Sequence, residues 1–139
     1  RRMMVKAICR YVLFLRQKSE PATNDDLPAA QNLLDTLAAN SERCVGMAAN
    51  MIGVNKRIIV VNIGFANMIM INPAITKKSG SFEAEEGCLS LDGVRKARRF
   101  KDIEVEFQDM SFKKQKQKFS GWTAQIIQHE CDHLEGIII

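Results

Sequence analysis

The chain has 139 residues, 46% of them hydrophobic, and a formal net charge of +4 at pH 7. This composition predicts one globular domain over residues 1–139, and because the chain does not begin with methionine, residues 1–2 are expected to be additions to the natural sequence. No apolar run reaches about 18 residues and the first residues lack the apolar core of a signal peptide, which argues against a membrane-spanning or secreted protein and predicts a cytoplasmic location.

The first predicted element is an amphipathic helix. Asp25 or Asp26 can cap its N-terminus, and Pro28 suits the first turn, where a missing N–H is no loss. Apolar residues then recur at helical spacing, at Leu27, Ala30, Leu34, Leu37 and Ala38. The helix is expected to end before Cys44.

Strands are predicted next. Residues 57–62 and 68–71 are rich in β-forming residues, are separated by Gly64 and are closed by Pro73, which indicates a buried strand pair. Further along, Ile103, Val105 and Phe107 alternate with polar residues, a pattern typical of a strand with one solvent-exposed face. The order of helix, strands and helix predicts an α+β fold with helices packed against an antiparallel sheet.

The last predicted helix begins near Ser120 and carries a His-Glu-x-x-His motif. One stripe of it, expected to face the core, contains Trp122, Ile126, His129 and His133. Histidines four positions apart lie about 40° apart around a helix, so both imidazoles can bind one ion. Glu130 lies beside them, where metallohydrolases place the carboxylate that takes a proton from metal-bound water. The motif contains both histidines of the chain, which disfavours the alternative of a solvated helix face.

A catalytic metal site needs three protein ligands and an open position. Cys88, at the centre of a Glu-Gly-Cys-Leu-Ser segment, is the best remaining candidate, because a thiolate is a good ligand and disulfides are not expected in a reducing compartment. Cys9, Cys44 and Cys131 are expected to be structural. Cys131 lies about 200° around the helix from His129 and cannot join the same ion. The pattern therefore predicts metal-assisted hydrolysis.

Three motifs of the chain resemble those of the peptide deformylases, which remove the formyl group from the initiator methionine of new bacterial or organellar proteins. The family's motifs are Gly-x-Gly-x-Ala-Ala-x-Gln, Glu-Gly-Cys-Leu-Ser and Gln-His-Glu-x-Asp-His-Leu-x-Gly. The matching segments are residues 44–51, 86–90 and 128–136. The chain is identified as a divergent member of the family. The resemblance implies an α+β fold with antiparallel sheets packed around a central metal-binding helix.

The resemblance also implies catalytic roles. Cys88, His129 and His133 would hold one divalent ion, Fe²⁺ in the cell, with Zn²⁺, Ni²⁺ or Co²⁺ as alternatives that the same ligands accept. Glu130 would take the proton of the attacking water and pass it to the leaving amine. The backbone N–H of Leu89 would stabilise the oxyanion.

The substrate implied is an N-formylmethionyl nascent peptide. Its backbone would pair with Gly46 and with residues near Leu89. Its methionine side chain would enter a pocket lined by Val45, Trp122 and Ile126, for which ordinary core packing is the alternative. Glu86 is a candidate partner for the second nitrogen of a metal-bound imidazole. Asp132 is expected to pair with an arginine such as Arg98 or Arg99.

The first motif departs from the family at Met51, where the family has glutamine. In the family that amide donates a hydrogen bond to the formyl oxygen, and a thioether has no donor. Loss of one oxyanion donor lowers turnover by about 10²- to 10³-fold, so reduced activity is expected. Asn50 is one methylene shorter than glutamine and should point to the opposite face. Cys44 replaces the first glycine and is expected to narrow the peptide groove.

Two basic clusters, residues 95–101 and 113–118, have two interpretations. They are either solvated loops and a strand rim, or a surface that attracts anionic ribosomal RNA for a transient ribosome contact. No aromatic residues interleave for base stacking. Neither a membrane nor specific DNA is expected as a partner.

Three functions remain open from the sequence. The chain is a working deformylase that tolerates Met51, a catalytically impaired deformylase-like protein that binds metal and peptide, or a different metal amidase on the same scaffold. Retention of Glu130 favours an enzyme, because metal binding alone does not need a general base.

Overall fold

The computed structural model describes residues 4–88 and 90–139, so residues 1–3, among them the two expected additions, and Leu89 lie outside the described range. Five strands form one antiparallel sheet in chain order: β1 (Gly46–Ala48), β2 (Ile58–Asn62), β3 (Asn67–Cys88), β4 (Leu91–Gln108) and β5 (Lys114–Ser120). The described helices are α1 (Val12–Leu15), α2 (Leu27–Ala39) and α3 (Gly121–Leu134), with 3-10 turns at Asn24–Asp26 and Ala49–Ile52. The predicted α+β class is confirmed, although the described strands form one sheet rather than several.

The sheet separates two hydrophobic layers. In β2, Ile58 and Val60 join the core on the α2 side, whereas Ile59 and Val61 join the core that contains the apolar residues of α3. All four are fully buried, because alternate side chains of a strand point to opposite faces and here both faces are covered. Helix α3 contacts all five strands, which fixes its position relative to both long strands. No helix in the described part of the chain is long and apolar enough to cross a membrane.

The predicted strand end at Pro73 is wrong, because β3 continues to Cys88. The pairing of β3 with β4 shifts register between Ile71 and Ala74, and Asn72 in this bulge has a φ of 52°. Proline cannot donate a ladder hydrogen bond, so a bulge is a place where a strand tolerates it. The Asn72 side chain also accepts a hydrogen bond from the Ala22 N–H at 2.8 Å, which anchors the segment before α2 to this bulge.

The strand expected to have one exposed face is the second half of β4. Its apolar side chains are buried as predicted, at Ile103, Val105 and Phe107. Glu104, expected to face solvent, is only 7% exposed. Its Oε2 lies 3.9 Å from Lys77 Nζ and 3.8 Å from Lys116 Nζ, so the neighbouring strands cover this carboxylate with lysine side chains.

The chain just after α3 turns at Gly136, which has a φ of 75°. A Cβ at this position would clash with the Arg16 carbonyl group. We expect Gly136→Ala to lower the free energy of unfolding by about 2 kcal/mol or more, from the left-handed backbone together with the clash. Urea titration followed by circular dichroism, with wild type and variant in the same metal state, measures this difference.

Gly53→Ala is the matched control. Gly53 has a φ of 80°, but nothing lies within 4 Å of a Cβ placed there. Only the backbone cost of about 1 kcal/mol is expected. Equal losses for the two variants would show that the contact with Arg16 is unimportant.

Candidate metal centre and active site

Three candidate ligand atoms converge between α3 and the end of β3. The Nε2 atoms of His129 and His133 are 3.1 Å apart, and Cys88 Sγ lies 3.3 Å from His133 Nε2. All three atoms lie within 4.8 Å of one another. A tetrahedral ion with bonds of about 2.0–2.3 Å separates its ligand atoms by about 3.3–3.6 Å. The donor set therefore suits one tetrahedral ion, and the two shorter separations are close to those of bound ligand atoms.

Local structure explains this convergence. His129 and His133 are one turn apart on the buried face of α3, and Cys88 is the last residue of β3, where the register with β4 shifts. His133 is fully buried, and burial above all lowers its pKa to about 3, so its imidazole is neutral. The Asn50 side chain donates a hydrogen bond to the His133 carbonyl at 2.9 Å and fixes this turn of the helix.

The Glu86 carboxylate fixes the other histidine. Its Oε1 lies 2.8 Å from His129 Nδ1, so the Nε2 of His129 points toward the ligand cluster. Arg99 donates to both oxygens of Glu86, at 2.7 Å from Nη2 and 2.9 Å from Nε, and Gln125 Nε2 donates to Oε2 at 2.9 Å. Burial opposes ionisation of Glu86, but the hydrogen bonds from His129, Arg99 and Gln125 outweigh it and lower its pKa to about 2. The remaining guanidinium nitrogen, Arg99 Nη1, donates to Asp132 Oδ2 at 2.6 Å, the pairing with an arginine that the sequence predicts.

Glu86→Gln is expected to weaken metal binding by about 10- to 100-fold, because it removes the charge that orients His129. Competition for Zn²⁺ with a chromophoric chelator measures the change in dissociation constant. Glu83→Gln is the matched control, since Glu83 is exposed on the same strand and pairs across the sheet with Arg98. Equal zinc affinity in the two variants would argue against a role for Glu86 at the metal.

Glu130 lies beside the ligand cluster and is 4% exposed. Its Oε1 is buried and has no hydrogen-bond partner among the described residues. Burial raises the pKa of Glu130 to about 7, against the opposing effect of His129. A Cβ added at Gly46 would lie 3.0 Å from Glu130 Oε2 and 2.7 Å from Ile126 Cγ2, so only glycine allows β1 to approach this carboxylate so closely. Glu130 is thus placed to exchange a proton with a molecule in the adjoining cavity.

A cavity of about 410 Å³ opens beside the cluster. The four residues predicted to bind substrate all line it: Val45, Gly46, Trp122 and Ile126. Trp122 was also expected to face the core, and that expectation is wrong: it is 61% exposed and lies on the first turn of α3. The cavity wall also contains Gln125, which the sequence analysis missed. Its position four residues before His129, on the same helix face, could have identified it.

The departures of the first motif also lie at this cavity. Met51 lines it and is 1% exposed, and its Sδ accepts a hydrogen bond from the Ala48 N–H at 3.4 Å. The Asn50 side chain is buried and donates its amide N–H to the His133 carbonyl. It therefore does not replace the amide donor that is missing at Met51. The Cys44 thiol lines the cavity and donates to the Gly46 carbonyl at 2.8 Å, and burial raises its pKa to about 11. The described part of the cavity therefore contains no amide at the place of the family's glutamine.

Comparisons with known proteins agree with the motifs. A family model described as polypeptide deformylase matches residues 5–139. The peptide deformylase of Clostridium beijerinckii is 57% identical over 136 residues, which cover 98% of this chain and 100% of that protein. The crystal structure of peptide deformylase from Thermotoga maritima has a TM-score of 0.86 and 27% identity, covering 99% of this chain and 95% of that one. The crystal structure of the class I type b peptide deformylase from Acinetobacter baumannii with bound Met-Ala-Ser has a TM-score of 0.84 and 27% identity. The match covers 99% of this chain and 97% of that one.

Proposed function

This chain belongs to the polypeptide deformylase family, and we propose that it removes the formyl group of N-formylmethionyl nascent peptides at the Cys88, His129 and His133 centre, with reduced turnover. Membership makes it a metal-dependent hydrolase of formylated nascent peptides. The observation that carries the site assignment is the convergence of three ligand atoms next to a buried carboxylate with an unpartnered oxygen.

The proposed reaction adds water to the formyl carbon and breaks the carbon–nitrogen bond, giving formate and the free amine of the peptide. Cys88, His129 and His133 would hold a divalent ion, which would lower the pKa of a water molecule toward neutrality. Glu130 would accept a proton from the attacking water and donate it to the departing nitrogen. Glu86 keeps His129 in the orientation for binding the ion.

For the ion we propose Fe²⁺ in the cell, with Zn²⁺, Ni²⁺ or Co²⁺ able to replace it. A ligand set of one thiolate and two imidazoles suits all four ions, and availability decides among them.

Peptide binding is proposed along the free edge of β1. This strand is the outermost of the sheet, so its outer backbone groups can pair with an extended peptide at Gly46. Val45 and Trp122 present exposed apolar surface at the cavity, and Ile126 lies deeper. The related Acinetobacter baumannii enzyme has been crystallised with Met-Ala-Ser. The backbone N–H of Leu89 remains the proposed oxyanion donor, although Leu89 lies outside the described residues.

Reduced turnover is proposed from Met51. A thioether cannot donate a hydrogen bond, and the neighbouring Asn50 amide is bound to the His133 carbonyl.

A transient ribosome contact stays a prediction. Many of the basic residues face acidic ones across the sheet, such as Lys96 opposite Glu85 and Arg98 opposite Glu83, which reduces the positive potential of that cluster. The cytoplasmic location and the single domain also stay predictions.

The proposal is tested with formyl-Met-Ala-Ser and anaerobically purified, Fe²⁺-loaded protein, with acetyl-Met-Ala-Ser as control substrate. We expect one formate and one free amine per peptide, and no cleavage of the acetyl peptide. Absence of formate release despite a full metal site would support the alternative of a metal- and peptide-binding protein. Cleavage of other amides but not of the formyl peptide would support a different metal amidase.

A further inference from the structure

We propose that Gln125 determines which first side chain the enzyme accepts, by presenting an amide to the substrate pocket, so that methionine sulfoxide is tolerated and norleucine is disfavoured. The inference rests on the proposed function. Gln125 is half-buried and lines the cavity one helical turn before His129, next to Ile126 and Trp122. Among the described residues of the cavity wall, it alone carries a side-chain amide.

The hydrogen-bonding capacity of Gln125 is only partly used. Its Nε2 makes one hydrogen bond, to Glu86 Oε2 at 2.9 Å, and neither its second N–H nor its Oε1 has a hydrogen-bond partner among the described residues. The nearby Gln128 is different, because its amide exchanges hydrogen bonds with the backbone of Phe100 and also donates to the Ala124 carbonyl. Gln125 therefore has one donor and one acceptor left for a molecule that fills the pocket.

Gln125 is not needed to hold the Glu86 carboxylate in place. Arg99 makes bonds to both oxygens of Glu86, and His129 contacts Oε1, so the carboxylate stays oriented without Gln125. The effect of Gln125 should consequently fall on substrate choice rather than on metal binding.

The chemistry of the first side chain then decides its fit. An apolar side chain such as norleucine would cover the amide without giving it a partner, which is unfavourable. The methionine thioether is a weak acceptor. A sulfoxide oxygen is a strong acceptor and can take the free N–H of Gln125. The pocket should accept formyl-methionine sulfoxide, which a wholly apolar pocket would reject.

The test compares kcat/KM for three formyl tripeptides that begin with methionine, methionine sulfoxide or norleucine and continue with Ala-Ser. In the wild type we expect the sulfoxide peptide to be hydrolysed better than the norleucine peptide. Gln125→Leu should change the ratio of the two by about 10- to 100-fold in favour of norleucine. Gln117→Leu, at an exposed position of β5, should leave the ratio unchanged.

The inference would be overturned if the wild type hydrolysed the norleucine peptide better than the sulfoxide peptide, or if Gln125→Leu left the ratio of the two unchanged. Hydrolysis of formyl-Met-Ala-Ser would still uphold the proposed function in either case. Calorimetric binding of the unformylated peptides to zinc-loaded protein gives a readout that does not need turnover. Tighter binding of the sulfoxide peptide than of the norleucine peptide, lost in Gln125→Leu, would support the inference even if no formyl peptide were hydrolysed.

Discussion

Replacing Met51 with glutamine is expected to raise kcat for formyl-Met-Ala-Ser by about 10²- to 10³-fold. Met51 lies in the cavity wall, and its sulfur accepts a hydrogen bond from the Ala48 N–H but can donate none. Glutamine has a similar length and would bring a donor to the same wall. Because the donor acts on charge that develops in the transition state, the gain should be in kcat more than in KM. Steady-state kinetics on Fe²⁺-loaded protein separates the two constants.

Met51→Leu is the matched control, because leucine keeps the apolar volume and also lacks a donor. It should stay within several-fold of the wild type. A glutamine variant no faster than the leucine variant would show that the missing amide does not limit the rate. The Cys44 side chain, which shares the cavity wall, or a different natural substrate would then be the better explanation.

Glu130→Gln is expected to lower kcat by about 10²- to 10⁴-fold, the usual contribution of a general base. The other carboxylates at the cavity cannot easily replace it. Glu86 is bound by Arg99 and His129, which keep its pKa at about 2, and Glu85 is exposed to solvent. Glutamine has nearly the shape of glutamate, so the three ligand residues should keep their places. Turnover and metal content per chain are measured on the same preparation.

Glu42→Gln, an isosteric change at an exposed position outside the cavity, serves as the control and should keep wild-type turnover. A Glu130→Gln variant with more than about a tenth of wild-type activity would place the base elsewhere. Loss of activity together with loss of the metal would instead make Glu130 a residue that supports the ligand cluster.

Much of the site could be predicted because its signals are local or chemically distinctive. Two histidines at helical spacing with a glutamate between them define one face of α3 whatever surrounds it. Cys88 lies far away in sequence, but it stands at the centre of a second motif, and a thiolate is a good metal ligand. The contacts of Glu86 with His129 and of Asp132 with Arg99 follow the rule that buried ligands and charges need partners.

The long hairpin of β3 and β4 could not be predicted in the same way. Between Pro73 and Ile103 the strands carry charged residues at many positions and show little apolar alternation, because much of their surface is exposed. Their pairing depends on cross-strand partners that are distant in sequence. The burial of Glu104 and the use of the Asn50 amide at His133 likewise depend on contacts between separate elements.

The central claim is that Cys88, His129 and His133 hold the ion on which hydrolysis depends. The most direct test titrates Fe²⁺ into metal-free protein under anaerobic conditions and follows formate release from formyl-Met-Ala-Ser, for the wild type and for Cys88→Ala. We predict that activity rises in proportion to bound iron, levels off at one ion per chain, and is absent in Cys88→Ala. Turnover by metal-free protein, or wild-type turnover by Cys88→Ala, would contradict the claim.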